Sequence, residues 1–137
     1  MKIIKSAAIA TILRETWPSL RQIWIFDRAL VCITQVEIEA IIKEVWEKMI
    51  ASGEKLDCDE RALFLHAAVK KYWASNYAGN ETFAFGEVAG TIFNGWSDTH
   101  NQNVAVTESG RTILIEPQTK EIWTAHKTDD QPYWMRF

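Results

Sequence analysis

The apolar run Ile38, Ile41, Ile42, Val45, Trp46, Met49 and Ile50 constrains the fold of this chain more than any other feature. Its spacing draws one continuous stripe along a helix of 3.6 residues per turn. Glu37, Glu39, Lys43, Glu44, Glu47 and Lys48 fall on the opposite face, which reads as a solvated surface. Thr34-Gln35-Val36-Glu37 forms a capping box at the start, and Ser52-Gly53 supplies a stop. A stripe this long is costly to leave in water, so the rest of the chain must provide an apolar layer that covers it.

A second helix start lies at Leu56-Asp57-Cys58-Asp59-Glu60. Asp57 has the acceptor of an N-cap and Glu60 completes the box, which puts Cys58 at the first helical position. Ala62, Leu65, Val69 and Tyr72 or Trp73 then point inward as far as about Ala74. Residues 3–16 read as a third helix with Ile9, Ile12 and Leu13 on one face, ended by Trp17-Pro18. Between them, Leu20 to Ile33 fits two short extended pieces. After a loop at Asn76–Asn80 the chain turns β in character. Thr82 to Val88 leads through a connection at Gly90–Asp98 to Asn103–Thr107 and Thr112–Glu116, a hairpin around Glu108-Ser109-Gly110-Arg111. A tight turn at 109–110 would set residue 103 against residue 116. A second turn at Pro117–Lys120 leads to Glu121-Ile122-Trp123. Helices first and strands after predict an α+β domain, N-terminal helices packed on one side of a small antiparallel sheet. It would be a single domain over residues 1–137, with 1–24 a helical extension and 125–137 an aromatic tail docked on the body or on a partner.

Composition excludes several classes. A net charge of −3 lacks the basic stripe of a nucleic-acid binder. No run of ~18 apolar residues exists to span a membrane. Lys2, Lys5 and the stretch Ala7–Leu13 imitate a signal peptide, but Arg14 and Glu15 cut the apolar run short. Two cysteines make no disulfide framework, so a reducing cytoplasm is expected. Neither zinc-ligand spacing nor a phosphate-cradling glycine loop is present, and no metal is assigned. Seven Trp suit a bulky core.

A helix start favours the thiolate, which is the reactive form of Cys58, while Asp57, Asp59 and Glu60 disfavour a further anion there. A thiol nucleophile needs a base, and the base needs an acceptor to orient it. His66 lies two turns along the cysteine's own helix and reads as a core or groove histidine; His126 falls in the polar C-terminal region. His100, at the entrance to the hairpin, and Glu116, at the end of the partner strand, complete a candidate triad with Cys58. Cys32, in an apolar run, reads as a small buried hydrophobe.

Asp57-Cys58-Asp59 opening a helix, His100-x-x-Asn103, and Leu114-Ile115-Glu116-Pro117-Gln118-Thr119-x-Glu121-Ile122-Trp123 resemble a family of phage and bacterial proteins. Those proteins are related to the C-terminal domain of a mushroom agglutinin, and the similarity spans roughly residues 25–124. The resemblance implies a papain-like cysteine protease fold with Cys58 as nucleophile, His100 as base and Glu116 as orienting acid. Asn103, Gln118 and Asp57 take supporting positions. The family's dependence on calcium would fall on Asp57, Asp59 and Glu60, where capping and solvation are the simpler reading. Thr99-His100-Asn101 departs from the family's Gly-His-Ala, and Glu60 adds charge beside the thiol. Two functions follow: hydrolysis of a peptide or protein substrate, or binding without turnover. In the latter, a phage-encoded inhibitor of the anti-CRISPR kind would act on a host protein complex.

Overall fold

The computed structural model describes residues 1–50 (48–50 as backbone only), 56–91, 99–125 and 131–137. The Ser52-Gly53 stop, most of the Gly90–Asp98 connection and His126 lie outside the described residues. In chain order come β1 (Lys2–Lys5), α1 (Ser6–Thr16), β2 (Gln22–Trp24), β3 (Ala29–Cys32), α2 (Gln35–Ile50) and α3 (Cys58–Asn76). The β half follows with β4 (Thr82–Phe83), β5 (Phe85–Gly90), β6 (His100–Val106), β7 (Thr112–Ile115), β8 (Ile122–Thr124) and β9 (Pro132–Arg136). The architecture is α+β.

Six strands form one sheet in the order β2-β9-β5-β6-β7-β8, and β1-β3-β4 form a smaller one. Most pairs are antiparallel; β2–β9 and β3–β4 are parallel. Alternation along the strands sorts the core into two layers. Val88, Val104, Val106, Leu114 and Met135 pack with Ile9 and Leu13 of α1 and with Trp17 just after it. Phe85, Ala105, Ile113 and Ile115 pack with Ile38, Ile42 and Trp46 of α2 and with Leu65, Val69 and Trp73 of α3. Helices therefore cover both faces of the large sheet, a correction to the one-sided layer read from their order. The strands β5, β6 and β7 are buried on both faces, and both need apolar cover.

Two end segments also differ from the sequence reading. Residues 3–5 are not helical, because β1 pairs antiparallel with β3 from Lys2↔Cys32 to Lys5↔Ala29. The C-terminal aromatics do more than dock on the body. β9 lies inside the large sheet between β2 and β5, and the chain has a glycine where they pack closest. A Cβ on Gly86 would stand 2.1 Å from the Arg136 carbonyl oxygen.

The capping box at Thr34 forms: its backbone N–H donates to Glu37 Oε2 at 2.8 Å. Hydrogen bonding to Thr34, side chain first and backbone second, holds the Glu37 carboxyl below its usual range. The direction of α3 follows from its contacts. The Ala62 carbonyl accepts from Asn103 Nδ2 at 2.9 Å, Lys70 Nζ donates to the Phe83 carbonyl at 2.8 Å, and Trp73 Nε1 donates to the Glu81 carbonyl at 3.2 Å. The helix thus runs against β5 and along β6, and its N-terminus lies at the His100 end of β6.

Burial lowers the Lys70 ammonium from 10.5 to about 8, with Asp27 opposing. The unfolded lysine keeps its proton up to the higher value, so the folded state is penalised below about 8. The penalty fades as pH rises toward 10.5. Thermal melts of Lys70→Met and wild type should therefore converge in favour of wild type. The difference, variant minus wild type, is expected to fall by about 8 °C between pH 7 and pH 10. A difference independent of pH contradicts the buried-ammonium account.

Candidate active site

Asp57 caps α3 as its sequence requires. Its side chain accepts from the Glu60 backbone N–H at 3.2 Å, and Glu60 Oε2 accepts from the Asp57 backbone N–H at 3.2 Å. Both acids are thereby engaged in the cap. Cys58 follows at the first helical position, half-buried, with Asp59 Oδ1 3.7 Å from its Sγ. Cys32 is buried, and desolvation pushes its thiol up to about 12. Of the two cysteines, Cys58 is the reactive candidate.

His100 opens β6 and Glu116 follows β7, and the hairpin brings them together. His100 Nε2 and Glu116 Oε2 stand 2.6 Å apart, both side chains being buried. Gln102 Nε2 donates to the same carboxylate oxygen at 2.8 Å, and the backbone N–H of Gln118 donates to Glu116 Oε1 at 2.9 Å. The carboxylate is gripped from both ends. The Gln118 side chain itself is exposed, so its part is that of its backbone.

Asn103 does something else. Its Nδ2 donates to the Ala62 carbonyl at 2.9 Å and to the Gly86 carbonyl at 3.1 Å. Ala62 is one turn beyond Cys58 and Asn103 is three residues beyond His100, so this amide ties the cysteine's helix to the histidine's strand. Cys58 and His100 consequently lie at the same end of β6. His100 and Gln102 share the strand parity of Val104, whereas Asn103 shares that of Ala105 under α3. The His100–Glu116 pair thus sits on the sheet face away from α3, and the helix N-terminus shares its end of the sheet.

The register of the hairpin explains why Gln102 went unseen in the sequence. Thr107 N–H donates to the Arg111 carbonyl at 2.9 Å, and Gly110 adopts φ 79°. The turn therefore holds three residues, 108–110, where the sequence reading used two. A three-residue turn with glycine in the left-handed region is a standard hairpin closure. It sets Asn103 opposite Ile115, one position from the expected partner. A slip of one residue exchanges the two faces of a strand, so Gln102, not Asn103, meets Glu116.

The remaining described histidine, His66, makes a second pair. Its Nδ1 is 2.7 Å from Glu87 Oε1, and Arg136 Nη2 contacts both carboxylate oxygens of Glu87 at 2.9 and 3.1 Å. Burial works to raise the Glu87 carboxyl, but hydrogen bonds from His66 and Arg136 outweigh it and hold the group below its usual range. This cluster pins α3, β5 and β9 together. A groove of about 660 Å³ between α2 and α3, lined by Val45, Phe64, Ala68, Lys71 and Tyr72, includes none of the triad candidates.

No family model matches the sequence, and no curated protein sequence does either. Solved structures do match. The chain is similar to PSL1a in its complex with E64, with a TM-score of 0.76 at 21% identity over 98% of this chain and 51% of that one. It is also similar to Polyporus squamosus lectin bound to the human-type influenza-binding epitope Neu5Aca2-6Galb1-4GlcNAc. There the TM-score is 0.75 at 20% identity, over 98% of this chain and 49% of that one. The shared feature is the fold. This chain spans about half the length of either neighbour. Among the described residues no helix is long and apolar enough to cross a membrane.

Proposed function

We propose that the chain is a papain-like thiol hydrolase that cleaves a peptide or amide bond, with Cys58 as nucleophile, His100 as base and Glu116 as orienting acid. The buried His100–Glu116 contact of 2.6 Å, braced by Gln102 and the Gln118 N–H, carries this reading. With Nε2 engaged by Glu116, the reading assigns Nδ1 to the thiol. His100 takes the proton of Cys58, and the thiolate attacks the carbonyl carbon. Collapse of the tetrahedral intermediate breaks the C–N bond, and the imidazolium returns the proton to the leaving amine. Water then attacks the thioester with His100 again as base, releasing the acid and restoring the thiol. The backbone N–H of Cys58, at the start of α3, is the natural donor to the oxyanion.

A brief pulse of iodoacetamide at about pH 6, read by mass spectrometry, tests the assignment, with the epoxide E64 as a second probe. Cys58 is expected to label well ahead of a free model thiol, and Cys32 to stay unlabelled. Labelling of Cys58 no faster than the model thiol contradicts the nucleophile role.

The lectin neighbour favours a second reading, a binding protein that uses this fold without turnover. Its partner would be a glycan or a host protein complex, as for a phage-encoded inhibitor. Calorimetric titration with Neu5Aca2-6Galb1-4GlcNAc, for wild type and Cys58→Ala alike, tests the glycan form of it. Equal affinity in both proteins supports binding without chemistry, and no heat in either contradicts a glycan partner.

A further inference from the structure

Gln102 is fully buried, and along β6 it shares the parity of Val104 in the apolar layer beneath α1. A primary amide there has lost its water, and its Oε1 has no hydrogen-bond partner among the described residues. A buried amide left half satisfied is unfavourable, and an apolar side chain of the same shape would suit the layer better. The polar contact it makes is with the candidate acid: Nε2 to Glu116 Oε2 at 2.8 Å, on the same oxygen that meets His100 Nε2. The other oxygen is held by the Gln118 backbone, which no side-chain change can supply or remove.

We infer that Gln102 is a positioning residue, which fixes the plane of the Glu116 carboxylate and, through it, the tautomer and orientation of the His100 ring. The assignment rests on the thiol-hydrolase reading of the site. Without the Gln102 donor, Oε2 is held only by the histidine it is meant to orient, and the Gln118 N–H on Oε1 is left as the one fixed restraint on the carboxylate plane. The imidazole then no longer presents one fixed nitrogen to the thiol.

The test compares iodoacetamide rate constants for Cys58 at about pH 6 and pH 9 in four proteins: wild type, Gln102→Met, Glu116→Gln and the double variant. Gln102→Met is expected to slow the pH 6 reaction roughly tenfold. The pH 9 rate should stay within about twofold, because hydroxide there does the work of the base. The melting temperature should fall by no more than a few degrees, because Glu116 keeps His100 and the Gln118 N–H, and a retained cooperative melt separates loss of positioning from loss of fold. In the Glu116→Gln background the same change should cost nothing further, as expected of a residue acting through Glu116. An unchanged pH 6 rate in Gln102→Met overturns the assignment alone, as does a loss of equal size in both backgrounds. A wild-type pH 6 rate no higher than that of a free thiol overturns the hydrolase reading and this assignment with it. Should Gln102→Met not fold, Gln102→Asn keeps the polarity, shortens the reach and carries the same comparison.

Discussion

Replacing His100 by alanine is expected to slow alkylation of Cys58 at about pH 6 by roughly 10²-fold, the lower end of what a positioned base contributes. At pH 9 the same variant should react within a few-fold of wild type, since hydroxide then does the work of the imidazole. The contrast between the two pH values matters more than either rate. A general loosening of α3 would alter both, whereas loss of the base alters the first. His100→Ala also leaves the buried Glu116 carboxylate with fewer donors, at a cost of about 1–3 kcal/mol. Melting temperatures must therefore be measured beside the rates. Stopped-flow or quenched-flow labelling with mass spectrometry reads both cysteines at once. Equal slowing at pH 6 and pH 9 contradicts the assignment of His100 as base.

The largest stability effect is expected at Phe83→Ala. Phe83 is fully buried and stacks on Trp73 at a centroid distance of 5.1 Å and on Phe85 at 5.9 Å. Trp73 in turn stacks on Tyr77 at 4.5 Å, so one aromatic column joins the end of α3 to β4 and β5. Truncating this inner member removes both faces of contact and leaves a cavity that rigid ring neighbours fill poorly. The expected loss is about 3–5 kcal/mol, a large share of the roughly 5–15 kcal/mol that holds a domain of this size folded. Urea unfolding followed by circular dichroism measures it. A loss below about 1 kcal/mol would mean that the column contributes area and no packing.

Local signals in the sequence were sufficient wherever the chain decides its own conformation. The stripe from Ile38 to Trp46 and the cap at Asp57 each specify a helix from neighbouring residues, and α2 and α3 form there. The burial of Ala62, Leu65, Val69 and Trp73 follows from the same periodicity. Non-local pairing is where the reading stopped. Lys2–Lys5 is too short to announce a strand, and only β3, far along the chain, makes it one. The C-terminal aromatics likewise become a central strand because β2 and β5 flank them, and nothing within Pro132–Phe137 names those partners.

The site divides the same way. His100 and Glu116 were legible as neighbours because a hairpin is a local object, but it is the three-residue turn that puts them on one face of the sheet. Gln102 was not legible, because that same turn decides which of two adjacent amides faces the acid. Asn103 could be singled out, but its task of joining α3 to β6 depends on the Ala62 carbonyl, which no sequence pattern marks.

The central claim is that Cys58, His100 and Glu116 act as one chemical unit. Labelling of Cys58 by E64 in wild type, His100→Ala and Glu116→Gln, read by mass spectrometry at about pH 6, tests it most directly. The account predicts rapid labelling in wild type, labelling slowed roughly 10²-fold in His100→Ala, and slowed labelling in Glu116→Gln. Equal labelling rates in all three proteins would contradict it.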